Sequence, residues 1–203
     1  MAKVIKFPVE PPRKLGPKKV QKRRKADPED HGQLNLFNQI VPETRIRSLV
    51  DGNDFFEEAL RLDEKGDPYA ENMYLKAIEN NQSVADAWCN LGILTSRMEE
   101  HAKAVDFLTK CLAVNPRHFE AHYNLANVYS DMGNYALAKT HYEISMEIAP
   151  DFPNSYYNLG LVLVSLKQYD AAAEVIKQYI NLSPGYDHEV ANDLIRTLKD
   201  FGQ

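Results

Sequence analysis

The chain has 203 residues, of which 44% are hydrophobic and 26% charged, enough for one ordinary domain with a hydrophobic core and a tail. This composition excludes collagen-like and wholly disordered chains. No run approaches the roughly 18 to 20 apolar residues that span a bilayer, and the first residues lack the apolar stretch of a signal peptide. Cys89 and Cys111 form no close pair in sequence, which predicts neither a disulfide framework nor a zinc site. We therefore expect a soluble cytoplasmic protein that carries no cofactor and no metal.

Charge is divided unevenly along the chain. Residues 1–25 hold ten Lys or Arg and one acid, whereas the remainder holds 14 bases and 28 acids, so the two parts carry +9 and −14. Six of the eleven prolines fall in the first 42 residues, where they disfavour helices and strands alike. The sequence therefore predicts a disordered basic arm over residues 1–30 and a linker or N-terminal cover segment over residues 31–50.

From residue 85 onward the chain repeats itself every 34 residues, over 85–118, 119–152 and 153–186. The matching residues are Trp88, His122 and Tyr156 at position 4; Leu91, Leu125 and Leu159 at 7; Gly92, Ala126 and Gly160 at 8; Ala104, Ala138 and Ala172 at 20; Leu108, Tyr142 and Ile176 at 24; and Pro116, Pro150 and Pro184 at 32.

This pattern predicts a helical hairpin in each unit. Positions 4, 7, 8 and 11 share one face of a first helix, and the small residue at position 8 allows a second helix to approach closely. The large residue at position 24 fills the space between the two helices, and the proline sets the turn into the next unit. The sequence resembles the tetratricopeptide repeat, and this resemblance implies an all-α superhelix, a solenoid of stacked hairpins.

Both ends of the repeat array have weaker signals. Residues 51–84 resemble a degenerate first repeat, in which Phe55, Ala59, Leu62 and Gly66 are assigned to the first helix and Ala70, Tyr74 and Ala77 to the second. Gln82 replaces the expected proline, and one residue is missing at the turn. Residues 187–203 are expected to form a C-terminal capping helix, with Val190, Leu194, Ile195 and Leu198 on its apolar face.

The concave surface of the solenoid is the predicted binding groove. Position 6 lies about 200° from position 4, so its side chain points into this groove, and it is Asn90, Asn124 and Asn158 in the three units. A ladder of amides can donate to and accept from the backbone of an extended peptide, as the resemblance to peptide-binding members of the family also implies. The alternative is that these asparagines are simply common in the repeat and solvated.

Other groove positions indicate the chemistry of a partner. Beside the ladder we expect Ile93, Asn127, Leu161 and Arg97, flanked by Tyr123 and Tyr157. Asp86, Glu120 and Asp131 make this surface mildly acidic, which favours a neutral or basic segment. Only Arg97 is basic among these positions, so a clamp for a C-terminal carboxylate is disfavoured.

Catalytic and metal chemistry find little support in the sequence. His118 and His122 are four residues apart with Glu120 between them, but the order is not that of the H-E-x-x-H motif and no third ligand is evident. Cys111 occupies a small position of its unit and is expected to pack rather than react. No glycine-rich phosphate loop or nucleophile elbow occurs, so we expect a protein that is not an enzyme.

The segment before the repeats contains two short features. Gln33, Leu34, Leu36 and Phe37 resemble the Gln-Leu-x-Leu-Phe peptides by which bacterial replication and repair proteins hold the sliding clamp; the alternative is a short amphipathic turn that covers the first repeat. The densest basic cluster could contact phosphates in a salt-sensitive manner and consists of Lys18, Lys19, Lys22, Arg23, Arg24 and Lys25.

These observations favour a non-enzymatic scaffold that binds a peptide or protein segment in its groove. The alternative is an adaptor associated with nucleic acid, in which the arm makes weak, non-specific contacts with phosphates. A third expectation joins the two halves of the chain: Lys18 to Lys25 could be attracted by Glu120, Asp86 and Asp131, so that the arm folds back into the groove when no partner is present. An arm that moves freely in solvent is the alternative.

Overall fold

The computed structural model of the protein describes residues 13–21, 54–185 and 188–201. In these residues it consists of helices, with no strand: α1 (Phe55–Glu64), α2 (Ala70–Glu79), α3 (Val84–Arg97), α4 (His101–Val114), α5 (Phe119–Asp131), α6 (Tyr135–Ile148), α7 (Pro153–Ser165), α8 (Tyr169–Leu182) and α9 (Glu189–Phe201). Helices α3 to α9 form an all-α superhelix of hairpins, as the repeat pattern predicts, and α1 and α2 form a further hairpin. None of these helices is both long and apolar enough to cross a membrane.

The chain divides into two compact units. One consists of the α1–α2 hairpin, within residues 21–83, and the other contains residues 84–203 together with residues up to Val20. The second unit therefore includes an extended piece of the N-terminal arm, residues 13–20, as well as helices α3 to α9.

Local sequence signals explain where several helices begin. The His118 ring accepts from the Ala121 N–H before α5, and the Asn134 side chain accepts from the Leu137 N–H before α6. Pro153 is the first residue of α7, a position at which a main-chain N–H would have no acceptor within the helix, so proline costs no hydrogen bond there. These signals fix where α5, α6 and α7 begin relative to the preceding turns.

Close helix packing within the hairpins follows from the small residue at position 8. A Cβ atom added to Gly92 would come within 2.5 Å of the Leu108 side chain on the second helix, and Gly160 meets Ile176 in the same way. Leu108 and Ile176 are fully buried. The expected contact between positions 8 and 24 is thus present in both hairpins.

The last helix covers the apolar end of the stack. Ala191, Leu194, Ile195 and Leu198 of α9 are buried against the same core cluster that contains Ala172 and Ile176 of α8. Val190, which the sequence places on the apolar face, is instead 58% exposed. The face of α9 that packs on α8 contains Ala191, Leu194 and Leu198. The capping face therefore starts one residue later than the pattern indicates.

The α1–α2 hairpin forms, but its core differs from the sequence expectation by about one residue. Phe56, Ala59 and Leu60 are buried, whereas Phe55 and Leu62 are only half-buried. Gly66 lies in the turn with φ of 70°, a left-handed conformation that suits glycine, and so it is not part of α1. The Gln82 side chain, in the place of the expected proline, accepts from the Phe55 N–H at 2.8 Å.

Residues 13–21 differ from the disorder that the composition predicts for residues 1–30. They take an extended, non-helical path, and Val20 is buried in the core of the repeat unit, with only 2% of its surface exposed. Low helix propensity near Pro17 and the basic composition describe the segment correctly as irregular, but they do not reveal the partner groups that hold it. The other residues of the predicted arm, 1–12 and 22–30, lie outside the described residues.

Candidate peptide-binding groove

The asparagines at position 6 of the three units bind the extended segment 13–20, the groove segment hereafter. Each asparagine contacts one residue of the groove segment through two hydrogen bonds. Its side-chain oxygen accepts from the main-chain N–H of that residue, and its side-chain nitrogen donates to the carbonyl oxygen of that residue. The pairs are Asn90 with Val20 (2.9 and 2.9 Å), Asn124 with Lys18 (2.9 and 2.8 Å) and Asn158 with Leu15 (2.6 and 2.8 Å). The segment thus runs opposite to the order of the repeats, with steps of three and two residues between its bonded positions.

With the groove segment in place, the three ladder asparagines are buried. Asn90, Asn124 and Asn158 are 0%, 3% and 1% exposed. Because the groove segment lies on these side chains, it supplies each buried amide with one donor and one acceptor.

Tyr123 adds a fourth contact to the groove segment. Its hydroxyl group lies 2.9 Å from the Leu15 carbonyl oxygen and 2.8 Å from that of Gly16, so it can donate to either. Burial raises the pKa of Tyr123 to about 12, which keeps this hydroxyl protonated as a donor. Asn158 also donates to the Tyr123 oxygen at 3.1 Å and to Asn127 Oδ1 at 3.0 Å. These bonds connect the ladder to its neighbours in one network.

Charge complements the backbone contacts, through Asp131, one of the three acids expected from the sequence, and Lys14. The Lys14 ammonium group lies 2.5 Å from Asp131 Oδ1 and donates to the Asn127 carbonyl oxygen at 2.8 Å. Lys18 places its ammonium group 5.6 Å from the centre of the Phe152 ring. Asp131 pairs with Lys14 of the groove segment, and Asp86 and Glu120 lie 3.0 and 3.3 Å from ring nitrogens of His118.

The remaining predicted groove residues lie around the segment in different roles. Ile93 is buried in one cluster with Val20 and Cys89, and Leu161 and Leu15 pack at the edge of the cluster that contains Tyr157. Tyr157 packs on Tyr179 with 4.9 Å between ring centres, so its ring faces the second helix of its hairpin. The exposed side chain of Arg97 borders a cavity beneath the groove segment.

That cavity has a volume of about 190 Å³. Its lining includes the apolar Ile93 and Val128, the charged Arg97 and Asp131, and Pro17 of the groove segment. Asn127 also lines it, and its buried amide nitrogen has no hydrogen-bond partner within the described part of the chain. The groove segment thus leaves both a space and one buried donor unused.

Beneath the ladder the structure brings together three residues that sequence reasoning treated separately: Cys89 on α3, Cys111 on α4 and His118 at the start of α5. Their ligand atoms all lie within 4.8 Å of one another. His118 Nε2 is 3.0 Å from Asp86 Oδ1, and His118 Nδ1 accepts from the Ala121 N–H at 3.2 Å. The hydrogen bond with Cys89 lowers the pKa of Cys111 to about 6. Both thiols are free.

His122, the other histidine of the predicted pair, points elsewhere. Its Nδ1 atom lies 3.0 Å from Nδ1 of His141, and its Nε2 atom lies 3.1 Å from the Pro116 carbonyl oxygen. His118 and His122 therefore do not form a shared ligand pair, and His122 packs against the second helix as position 4 predicts.

Some candidate sites lie outside the described residues. These are the clamp-like motif of Gln33, Leu34, Leu36 and Phe37 and the basic residues Lys22, Arg23, Arg24 and Lys25. Lys18 and Lys19 are the described members of the basic cluster. The nucleic-acid adaptor and the clamp contact accordingly stay predictions.

Family models and relatives place this geometry in context. Models described as tetratricopeptide repeat match residues 85–118 and 118–184. Human protein O-mannosyl-transferase TMTC3 is 28% identical over 127 residues, which are 61% of this chain and 14% of that protein. The chain thus spans only a small part of this relative, and the match covers repeats rather than a whole transferase.

Solved structures share the fold. A tetratricopeptide repeat protein from Parabacteroides merdae aligns with a TM-score of 0.64 and 20% identity, over 73% of this chain and 59% of that one. The first repeat domain of Spaghetti (RPAP3), bound to an HSP90 peptide, aligns with a TM-score of 0.54 and 17% identity, over 57% of this chain and 90% of that one. The helical hairpins, the close packing at positions 8 and 24 and the matched models agree: this chain is a tetratricopeptide repeat protein.

Proposed function

We propose that the chain is a non-enzymatic scaffold that binds an extended protein segment along its asparagine ladder. The observation that supports this proposal is that three buried amides each exchange two hydrogen bonds with the main chain of an extended segment. Main-chain groups are common to all sequences, so a segment of another protein can make the same bonds. The peptide-bound repeat domain of Spaghetti (RPAP3) is an example of the same fold with a peptide partner.

The groove segment acts in this proposal as an internal competitor. Because residues 13–20 belong to the same chain as the ladder, their effective concentration at the groove is high, and a partner must displace them. Their departure without a replacement would leave Asn90, Asn124 and Asn158 without these main-chain partners. A partner with a suitable main-chain path would replace these bonds as the groove segment leaves.

The contacts of the groove segment define the chemistry of a suitable partner. A basic side chain is required opposite Asp131, where Lys14 lies, and an aliphatic side chain is required at the buried site of Val20. A partner would bind more tightly than the groove segment if one of its side chains, between these two positions, filled the cavity that Pro17 lines. A cavity of about 190 Å³ exceeds the 150 Å³ that accommodates benzene in an engineered protein core, so a branched or aromatic side chain fits. A hydrogen-bond acceptor on this side chain would also satisfy the Asn127 amide.

The experiment uses the full chain and a fluorescent peptide with the sequence of residues 13–21. In the Val20→Asp variant a charge would have to be buried, so the groove segment should leave the groove and free peptide should bind. We expect binding of the peptide at least tenfold tighter to this variant than to the unmodified chain, measured by fluorescence anisotropy. Val190→Asp is the matched control, because Val190 is exposed on α9.

A second set of variants tests the ladder itself. Adding Asn90→Ala, Asn124→Ala and Asn158→Ala to Val20→Asp should abolish peptide binding while circular dichroism still reports a helical protein. Equal binding with and without the ladder would refute the groove proposal. Equal binding to the unmodified chain and to Val20→Asp would refute internal competition and leave the groove proposal standing.

A further inference from the structure

Two cysteines and one histidine meet at a buried point that the groove function does not use. Cys89 and Cys111 are the only cysteines of the chain and come from the two helices of one hairpin, while His118 caps the first helix of the next. Their ligand atoms lie within 4.8 Å of one another, and the three residues are 0%, 0% and 1% exposed. Soft sulfur and imidazole ligands are thus concentrated in a site closed to solvent.

Polar groups around the cluster resemble the outer shell of a metal site. The Asp86 carboxylate lies 3.0 Å from His118 Nε2, the kind of contact that orients metal-ligating imidazoles. His118 Nδ1, the nitrogen left for an ion, accepts from the Ala121 N–H at 3.2 Å, so a bound ion would replace this capping bond. The largely buried Glu120 carboxylate lies 3.3 Å from the same nitrogen. Asn124 donates to Cys89 Sγ at 3.7 Å, a bond that stabilises sulfur in its thiolate form.

We propose that Cys89, Cys111 and His118 bind one thiophilic d¹⁰ cation, Cu(I) or Zn(II). Thiolate and imidazole ligands favour these ions over Mg(II) or Ca(II). Three ligands suffice for Cu(I), and for tetrahedral Zn(II) the Glu120 carboxylate, 3.3 Å from His118 Nδ1, is the oxygen donor that we assign as the fourth ligand. Tetrahedral Zn–S bonds of about 2.3 Å place two sulfurs about 3.8 Å apart, so a small contraction of the cluster is enough. The buried position implies that the ion enters as the hairpins fold.

The test is to refold the full chain under a thiol-free reductant with Cu(I), Zn(II), Co(II) as a spectroscopic substitute, or Mg(II). Native mass spectrometry should find one Cu(I) or one Zn(II) per chain and no Mg(II). Co(II) should give the intense ultraviolet charge-transfer absorption of thiolate ligation. Cys89→Ser, Cys111→Ser and His118→Asn should each weaken binding at least tenfold, whereas His188→Asn, at a histidine outside the cluster, should not.

Further variants distinguish Zn(II) from Cu(I) as the bound ion. Glu120→Gln should weaken Zn(II) and leave Cu(I) unchanged if the carboxylate is the fourth ligand, and unchanged affinity for both ions would support the three-ligand Cu(I) site. If a serine variant fails to fold, the Co(II) spectrum of the unmodified chain still decides. Absence of both Cu(I) and Zn(II) from the refolded chain, or a Co(II) complex without thiolate absorption, would overturn the proposal without affecting that of the groove.

Discussion

Asn90 and Val20 lie 70 residues apart in the chain and exchange two hydrogen bonds of 2.9 Å between the asparagine side chain and the valine main chain. Both residues are buried, so neither bond competes directly with water. This pair is therefore the most protected contact between the groove segment and the ladder, and it allows the role of each asparagine to be measured separately.

Each ladder asparagine should protect its own partner amide from hydrogen exchange. Asn90→Ala is expected to accelerate exchange at Val20, and Asn158→Ala at Leu15, by roughly tenfold or more, because each change removes two bonds worth about 1 kcal/mol each. Amide-resolved hydrogen exchange measures this, with Asn192→Ala on the exposed side of α9 as the control. Uniform acceleration over the whole segment in every variant would show that the three contacts act only together.

The ion pair between Lys14 and Asp131 should contribute a small, salt-dependent stabilisation. Both side chains are partly exposed, so Lys14→Glu is expected to destabilise the bound segment by about 0.2 to 1 kcal/mol. Adding Asp131→Lys should restore most of this loss, because opposite charges again face each other. Hydrogen exchange of residues 13–20 at low and high salt measures both effects, and a loss that persists at high salt would contradict an electrostatic origin.

Replacement of Gly160 should reveal how tightly position 8 packs. A Cβ at this residue collides with the Ile176 side chain, so Gly160→Ala is expected to destabilise the protein by about 1 to 3 kcal/mol. Urea unfolding followed by circular dichroism gives the value. Gly185→Ala is the matched control, since a Cβ added there would have no described atom beyond its chain neighbours within 4 Å. Equal destabilisation by both changes would mean that backbone conformation rather than helix contact sets the effect.

The paired histidines should make stability depend on pH. Burial, reinforced by the charge of His122, lowers the pKa of His141 to about 4, below the ordinary value of 6.5. Between these values the unfolded chain binds a proton that the folded chain excludes, so stability falls as the pH decreases from about 6.5 to 4. His141→Phe removes this titration and should reduce the loss by about 1 kcal/mol, discounted because the ring is only partly buried. Urea titrations at pH 7 and pH 5 measure the difference, and identical losses in both proteins would refute it.

The sequence predicted those features that the 34-residue period determines. Gly92 with Leu108 and Gly160 with Ile176 repeat the same contact, and the phase of Asn90, Asn124 and Asn158 follows from helical rotation alone. By contrast, the residues of the arm that occupy the groove carry no periodic signal. Their bonds use main-chain atoms, which every sequence has, so Leu15, Lys18 and Val20 could not be selected from side-chain type.

The sequence signal for the cysteine cluster lies in the repeat positions of the two cysteines and not in their spacing along the chain. Cys89 and Cys111 occupy positions 5 and 27 of their unit, the same positions as Tyr157 and Tyr179, whose rings are in contact. Comparison of positions across repeats would have placed the two sulfurs side by side. His118 joins them from the turn, whose path depends on its own capping bond to Ala121 and is not visible in the period.

The uneven steps between the bonded residues of the groove segment have a consequence for selectivity. Along a regular strand, main-chain groups that point to one side recur every two residues, which matches the step from Lys18 to Val20 but not the step from Leu15 to Lys18. The extra residue lies between Leu15 and Lys18, at Gly16 and Pro17, and Pro17 lines the cavity. The three asparagines are therefore unequally spaced along the main chain that they contact. Under the proposed function, a partner that makes the same six bonds must bend between the residues opposite Asn158 and Asn124, which a uniformly extended peptide does not do.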